Sequence, residues 1–107
     1  MTLTQWYKTR QLDRRVQLLK AVAHPLRLCL IATLAEAPRN VGELSQRLGV
    51  AQPLVSQQLR VLRMMKLVGA ERKDGHATYR ITEPHVRGLL ACMDRCCAAP
   101  ARAPRAA

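Results

Sequence analysis

The chain has 107 residues, a length typical of one domain. It is 49% hydrophobic but contains no Phe and only one Trp, so we expect a core of aliphatic side chains. Eighteen Lys and Arg residues against seven Asp and Glu give a net charge of +11, which favours a polyanion such as nucleic acid as the partner. No stretch approaches the roughly 18 apolar residues of a membrane span, and the N-terminus lacks the apolar run of a signal peptide, so we expect a cytoplasmic protein without membrane contact.

The first third of the chain has the pattern of two helices. Four apolar residues recur at helical spacing through about residues 5–23: Leu12, Val16, Leu19 and Ala23. Pro25 ends this helix and suits the first turn of the next one, which we predict over about residues 25–36. We expect His24 to cap or pack at the start of that second helix.

A helix-turn-helix is predicted in the middle of the chain. The string EAPRN is predicted to be a loop, and its last residue, Asn40, is of a type that caps helices. A short helix over residues 41–48 follows, and Gly49 ends it. The next segment, AQPLVSQQLRVLR from Ala51, has three apolar residues on one helical face: Val55, Leu59 and Leu62. Two helices joined by a three-residue turn are the spacing of a helix-turn-helix.

A basic two-stranded ribbon, the wing, is predicted directly after this motif. Leu67 and Val68 open its first strand, Asp74-Gly75 is a strong hairpin signal, and HATYRIT has the composition of a second strand. Three basic residues cluster around the tip: Arg72, Lys73 and His76.

A last helix is predicted from Pro84 through about residue 98. Residues 1–98 are thus expected to form one winged helix-turn-helix domain for DNA binding, mainly α with a small β-hairpin wing and five helices; that this domain also dimerises is implied by the family resemblance described next. The low-complexity residues 99–107, rich in Ala, Pro and Arg, are expected to be a disordered tail.

Several strings of the sequence resemble the ArsR/SmtB family of bacterial winged-helix repressors. They are LLKAVAHPLRLCLIATL (18–34), VGELSQRLGVAQPLVSQQLRVLR (41–63), KLVGAERKDGHATYRIT (66–82) and the closing helix. Within the family the chain is most similar to the thiol-sensing repressors of the BigR, SqrR and HlyU kind. The resemblance implies a homodimer formed by the first and last helices, with one recognition helix and one wing per subunit. We expect Trp6 and Tyr7 to pack at that dimer interface.

The outward side of the predicted recognition helix carries side chains suited to reading DNA. Gln can bond adenine N6 and N7 together, and Arg can do the same with guanine O6 and N7. We predict base-edge contacts from three residues: Gln52, Ser56 and Gln57. Phosphate contacts are predicted from three others: Arg60, Arg63 and Lys66. For Gln58 a base contact, a phosphate contact and a solvated side chain all stay open.

The flanks of the recognition helix add further predicted contacts. The basic residues of the wing tip, Arg72, Lys73 and His76, are expected on the flanking minor groove, and Ser45 and Gln46 on the preceding helix could touch the DNA backbone. The two-fold symmetry of a dimer predicts a double-stranded operator with inverted half-sites about one helical turn apart.

Two positions depart from the pattern of the family. Ala51 stands where relatives often have a Ser that caps the recognition helix, so a capping bond usually worth about 1 kcal/mol is missing. Leu54 stands where relatives often have Thr, and it could meet a thymine methyl group or simply pack. These departures concern the half-site preference rather than DNA binding itself.

The cysteines are the candidate sensor of an inducer, and no obligatory cofactor is expected. The metal sites of the family do not fit, because VGELSQRL lacks Cys and His and the last helix has only His85 nearby. Relatives that sense persulfide or oxidants pair a cysteine on the second helix with one near the end of the last helix. Here Cys29 and Cys97 are the corresponding residues, in a shifted register. We favour this thiol switch.

Two other interpretations of the cysteines remain open. As(III) or another thiophilic metal could be the inducer, held by Cys92 and Cys96 at i, i+4 with Cys97 or Cys29 completing a trigonal set. Free cysteines are also often small buried hydrophobes without a sensing role.

Other functions fit the sequence less well. The seven acidic residues are scattered, and none pairs with a His in a known catalytic arrangement, so we do not expect an enzyme. A nonspecific architectural DNA-binding protein is the main alternative to a sequence-specific repressor. A winged helix that binds only proteins is disfavoured by the charge of +11 and the glutamine-rich helix.

Overall fold

The structure is a computed structural model that describes residues 2, 5 and 10–97. Its elements in chain order are α1 (Arg10–Val22), α2 (Pro25–Glu36), β1 (Arg39–Asn40), α3 (Val41–Leu48), α4 (Gln52–Met64), β2 (Val68–Lys73), β3 (His76–Ile81) and α5 (His85–Cys97). Five helices and one small sheet in this part of the chain confirm the predicted winged helix-turn-helix. The predictions for Trp6, Tyr7 and residues 99–107 lie outside the described residues.

The turn chemistry of the helix-turn-helix is as predicted. The Asn40 side chain accepts a hydrogen bond from the N–H of Glu43 at 2.8 Å, and the Glu43 carboxylate accepts one from the N–H of Asn40 at 3.0 Å. This is a capping box, which satisfies two backbone donors at once. Gly49 ends α3 in the left-handed region, with φ 66° and its N–H bonded to the carbonyl of Ser45. Ala51 provides no side-chain cap for α4.

The sheet contains a strand that the sequence did not suggest. Its order is β1-β3-β2, all antiparallel, and β1 pairs Arg39 with Tyr79 and Asn40 with Thr78. The prediction of a plain loop before α3 was therefore wrong, because Asn40 both pairs with β3 and caps α3. Asp74 and Gly75 join β2 to β3 with φ values of 55° and 79°, as a tight hairpin of the primed type requires.

Some predicted boundaries differ from those observed. Leu67 does not begin the first strand of the wing, because its N–H is bonded to the carbonyl of Leu62 at the end of α4. The side chain of Leu67 is fully buried and belongs to the core. Likewise, α5 begins at His85, one residue after the predicted start at Pro84.

The core is aliphatic, as the composition predicted, and α2 lies at its centre. Twelve buried residues form a single cluster: Ala21, Val22, Leu30, Ile31, Leu34, Leu44, Val55, Leu59, Leu62, Leu67, Val68 and Val86. Among the described residues, no polar or charged side chain is buried. α5 contributes only Val86 to this cluster, while Leu89 and Leu90 pack against it and are half-buried in the single chain.

Within the described ranges no single helix is long and apolar enough to cross a membrane. By length and composition alone, the bent pair Leu12–Val22 and Pro25–Glu36, with 94° between its halves, could do so.

Candidate nucleic-acid interface

The helix α4 presents one continuous face to solvent. Val55, Leu59 and Leu62 are fully buried, as their spacing predicted, and they fix which side of the helix points outward. The residues at the centre of the outward side recur at i, i+4, i+7 and i+11 and are all exposed: Pro53, Gln57, Arg60 and Met64. Gln57 and Arg60 are thus presented together. Ser56 is half-buried at the flank of this face.

The N-terminal end of α4 meets the wing across a cleft of about 410 Å³. The residues that line it come from β1, α3, α4, the two strands of the wing and the turn between those strands: Asn40, Val41, Gly42, Gln52, Arg72, Gly75, His76 and Ala77. The cleft brings together three predicted DNA contacts, Gln52, Arg72 and His76. Arg72 also donates to the carbonyl of Gly75 at 3.3 Å, which holds its side chain near the wing tip. Lys73 is exposed on the same strand.

The C-terminal end of α4 lies against α1. Arg14 on α1 donates to the carbonyl of Met65 at 3.2 Å, and Lys66 follows in the left-handed region with φ 62°. Both Arg63 and Lys66 are exposed. Because Arg63 is eleven residues beyond Gln52, it lies about 16 Å further along the helix axis. The predicted phosphate contacts Arg63 and Lys66 are therefore separated from the cleft at the wing.

Gln58 differs from the glutamines beside it, because its side chain has a partner inside the chain. It is half-buried, and its Oε1 accepts a hydrogen bond from Nη1 of Arg27 on α2 at 3.1 Å. The structure therefore does not group Gln58 with Gln57 on the outward face. The sequence of α2 does contain a hint of this contact. Arg27 is the only charged residue among the first eleven residues of that helix, so it needs a polar partner.

The preceding helix supports the turn of the motif. Ser45 is half-buried, and its hydroxyl donates to the carbonyl of Val50. The carbonyl of Ser45 in turn accepts the N–H of Val50 at 3.2 Å. Ser45 thus holds the connection between α3 and α4, whereas Gln46 is exposed. The interior role of Ser45 was not predicted.

All four cysteines are free thiols at the surface. Cys29 lies on the outward side of α2, and Cys92 and Cys96 lie one turn apart on α5. Cys97 is displaced from Cys96 by about 100° around the helix axis. In the described part of the chain, no three His, Cys, Asp or Glu side chains are grouped so that they could hold a metal ion. Cys92, Cys96 and Cys97 are therefore not assembled as a metal site within one chain.

The helices that carry these thiols face each other across a groove of about 400 Å³. Its lining comes from both helices: Ala32, Ala35, Glu36, Arg87, Leu90, Ala91 and Asp94. Arg87 on α5 donates to the carbonyl of Ala35 on α2. Cys29 is three residues before Ala32, and Cys97 is three residues after Asp94, so each thiol is about one helical turn beyond the groove.

Comparison with known proteins agrees with this geometry. The family described as bacterial regulatory protein, arsR family, matches residues 24–69. The crystal structure of the transcriptional repressor BigR from Xylella fastidiosa aligns with a TM-score of 0.83 and 36% identity, over 94% of this chain and 100% of that one. The chain belongs to the arsR family. The family resemblance of the sequence is thereby confirmed.

Two further relatives of this arsR-family chain define the extent of the match. The biofilm growth-associated repressor of Xylella fastidiosa strain Temecula1 is 48% identical over 73 residues, which are 68% of this chain and 64% of the relative. The chain thus matches just under two thirds of that relative's length. A homodimeric winged helix-turn-helix DNA-binding domain from Mycobacterium bovis has a TM-score of 0.76 and 28% identity, over 83% of this chain and 82% of that one.

Ion pairs of this arsR-family chain lie away from the outward face of α4. Glu36 binds Arg39 at 3.3 Å and Arg47 at 3.1 Å, and Glu83 binds Arg14 at 3.3 Å. Since α4 itself has no acidic residue, its basic side chains are not neutralised from within the helix. Hydrogen bonds from His85, and a weaker one from Arg14, hold the pKa of Glu83 below its ordinary value of 4.5.

Proposed function

We propose that the protein is a homodimeric DNA-binding transcriptional repressor that recognises an inverted-repeat operator. The observation that carries the proposal is the exposed face of α4, where Gln57 and Arg60 point outward together while the opposite face is fully buried. Both side chains can make paired hydrogen bonds to base edges in the major groove, so we reassign Arg60, predicted from the sequence as a phosphate contact, to a base edge. The relatives named as repressors support the regulatory role.

The wing would hold the DNA backbone beside the recognition helix. Arg72 and His76 border the cleft that opens at the N-terminal end of α4, next to Gln52. A DNA backbone lying in that cleft would meet a cation from the wing and the amide of Gln52, so we reassign Gln52, predicted from the sequence as a base-edge contact, to the backbone. Contacts of this kind set the register of a protein on its duplex, whereas base contacts set its sequence preference. Arg63 and Lys66 would bind a phosphate at the far end of α4.

A second copy of the chain would cover apolar side chains that one copy leaves in water. On α1, Leu19 is 54% exposed and Val16 is 37% exposed. On α5, Val86 is buried, and Leu89, Leu90 and Met93, which follow it at helical spacing, are only half-buried. A domain of this size gains stability when it buries such surface by association. The homodimeric state of the relative from Mycobacterium bovis supports the pairing of two copies, and the exposed apolar side chains of α1 and α5 are the surface that we propose for it.

Selection from a random duplex library tests the function directly. We expect the wild-type protein to enrich an inverted repeat and to bind it at least about 10³ times more tightly than random duplex at the same salt. Gln57→Ala should weaken binding to the enriched duplex and relax the preference at the base pair that Gln57 reads. Equal affinity for enriched and random duplexes would instead identify a nonspecific architectural protein.

The cysteine thiols are the proposed site at which an inducer releases the operator. All four are exposed, and Cys29 and Cys97 each lie about one helical turn beyond the residues that line the groove between α2 and α5. An oxidant that removes two electrons and two protons from these thiols would join them as a disulfide. Such a link would shift α5 relative to α2 and so change the spacing of the two recognition helices in the dimer.

Arsenite is the alternative inducer, and one experiment separates the two. The selected duplex is titrated with fully reduced protein, with protein treated with an inorganic persulfide or peroxide, and with protein treated with arsenite, and the intact mass of each sample is measured. The thiol switch predicts release after persulfide or peroxide, and loss of that response in Cys29→Ser with unchanged affinity for DNA. Release by arsenite alone, with As(III) bound, would favour the soft-metal interpretation.

A further inference from the structure

Arg27 occupies the corner where α1, α2 and α4 meet. Each of its three side-chain nitrogens donates to a different acceptor: Nε to the carbonyl of Ala21 at 2.8 Å, Nη2 to the carbonyl of Lys20 at 3.2 Å and Nη1 to Oε1 of Gln58 at 3.1 Å. The backbone N–H of Arg27 is held as well, since it donates to Nδ1 of His24 at 3.3 Å. One half-buried side chain thus links three helices.

Two of these bonds satisfy the end of α1. The carbonyls of Lys20 and Ala21 belong to the last turn of α1, where no N–H of the same helix is available to them. A cation at this end also interacts favourably with the helix dipole. The guanidinium group is planar and its donors have fixed directions, so the third donor is aimed once the first two are bound. The position of Gln58 is therefore defined relative to the end of α1.

Gln58 is next to the residues that face outward from α4. The buried side of α4 is held by the packing of Val55, Leu59 and Leu62, and the hydrophobic force that buries them has no preferred direction of its own. A hydrogen bond is directional and weakens steeply when it is misaligned. The bond from Arg27 to Gln58 therefore adds a constraint on the rotation of α4 about its own axis. Such a rotation would move Gln57 and Arg60 sideways relative to the bases in the major groove of the DNA.

We infer that Arg27 and Gln58 are a positioning pair, which holds α4 at the rotation in which Gln57 and Arg60 face the bases. The inference deepens the proposed function and rests on it. It also assigns Gln58 a role inside the protein, in place of the contact with DNA that its neighbours are proposed to make. Through the carbonyls of Lys20 and Ala21, the pair connects the reading helix to α1, the helix on which the proposed dimer depends.

Binding of the selected duplex and of its single-base-pair variants tests the pair. Gln58→Ala keeps both bonds from Arg27 to α1, so we expect it to fold and dimerise like the wild type. We expect it to bind the selected duplex roughly 3 to 10 times more weakly, the size of one net hydrogen bond, with unchanged affinity for random duplex. Because the whole face rotates, the loss of discrimination should be spread over several positions of the half-site. Gln57→Ala, the matched control, should lose discrimination at one position.

A double-mutant cycle separates positioning from direct contact. Arg27→Lys keeps the charge but cannot direct three bonds, so it should lower the affinity for the selected duplex as Gln58→Ala does. If the two residues act as one unit, the double variant should be no weaker than either single variant. Arg47→Lys controls for the substitution itself, since Arg47 is paired with Glu36 at the surface.

Three results would overturn the inference. The first is a Gln58→Ala protein that binds the selected duplex like the wild type, and the second is a loss confined to one base pair, which would make Gln58 a direct reader. The third is a double variant whose losses add. If the wild-type protein itself failed to distinguish the selected duplex from random duplex, the proposed function would fall, and the pair with it. That failure is visible before any variant is made.

Discussion

Asn40 and Glu43 cap each other's backbone at the start of α3, with side-chain to N–H distances of 2.8 and 3.0 Å. Because Asn40→Ala removes the acceptor for the N–H of Glu43, it should lower the free energy of unfolding by about 1 kcal/mol. Urea unfolding followed by circular dichroism measures this change. Asn40→Asp keeps an acceptor at the same position and should restore most of it; equal stability of the Ala and Asp variants would contradict the capping role.

At the start of α4, a substitution that adds a missing helix cap should raise the stability of the protein. Ala51 has an extended backbone, φ −59° and ψ 140°, but no side chain that can accept a hydrogen bond from the first turn. Ala51→Ser should therefore raise the free energy of unfolding by about 0.5–1 kcal/mol. Ala51→Val, which adds volume without an acceptor, is the matched control. A gain of the same size in both variants would show that capping is not the cause.

The carboxylate of Glu83 should make stability depend on pH. Its bonds with His85 and Arg14 lower its pKa in the folded protein, so the carboxylate stabilises the fold above the ordinary value of 4.5 and loses that effect as the pH falls through the lowered value. We expect Glu83→Gln to be less stable than the wild type by about 0.5–1 kcal/mol near neutral pH, because the partners are largely exposed. The difference should narrow below pH 4.5. A difference that persists unchanged into acid would contradict the assignment.

The apolar stripe on α1 should determine the oligomeric state. Leu19→Asp places a charge on a side chain that is 54% exposed in the single chain, so the monomer should keep its fold while the dimer dissociates. Light scattering after size-exclusion chromatography measures the mass, and affinity for the selected inverted repeat should fall with it. Leu54→Asp is matched in exposure, at 51%, but lies on α4 and should leave the mass unchanged. A dimeric Leu19→Asp protein would exclude this interface.

Arg72 and Arg80 provide a matched pair in the wing. Arg72 faces the cleft beside α4, whereas Arg80 lies on the other side of the ribbon, near Glu71 at 3.8 Å. If Arg72 binds a phosphate, Arg72→Ala should weaken binding to all duplexes and reduce the slope of log K against log salt by about one. Arg80→Ala removes the same charge and should leave the slope nearly unchanged. Equal slopes for the two variants would show only a general effect of net charge.

Local signals determined how much of this fold could be predicted from the sequence. The bounds of α2 and α3 were predicted to the residue because Pro25, Asn40 and Gly49 act within one turn of the chain. The pairing of Arg39 with Tyr79 was missed, because a two-residue strand has no periodicity and its partner is forty residues away.

In the candidate site, too, features set by neighbouring residues could be predicted, whereas contacts between distant residues could not. The outward direction of Gln57 follows from the apolar spacing of its own helix, so the sequence was sufficient. The partner of Gln58 could not be inferred in this way, since Arg27 precedes it by 31 residues and only the packing of α2 against α4 brings them together. The approach of Arg72 and His76 to Gln52 likewise depends on how α4 is set against β2 and β3.

Asn40 belongs to two elements at once, as the strand partner of Thr78 and the cap of α3. The wing is thereby joined to the helix-turn-helix by backbone pairing, which restrains the distance between the wing and α4. A duplex bound by both α4 and the wing would then have to adjust its own groove width and bend to fit them. Base steps that deform easily would then be favoured at positions that no side chain touches.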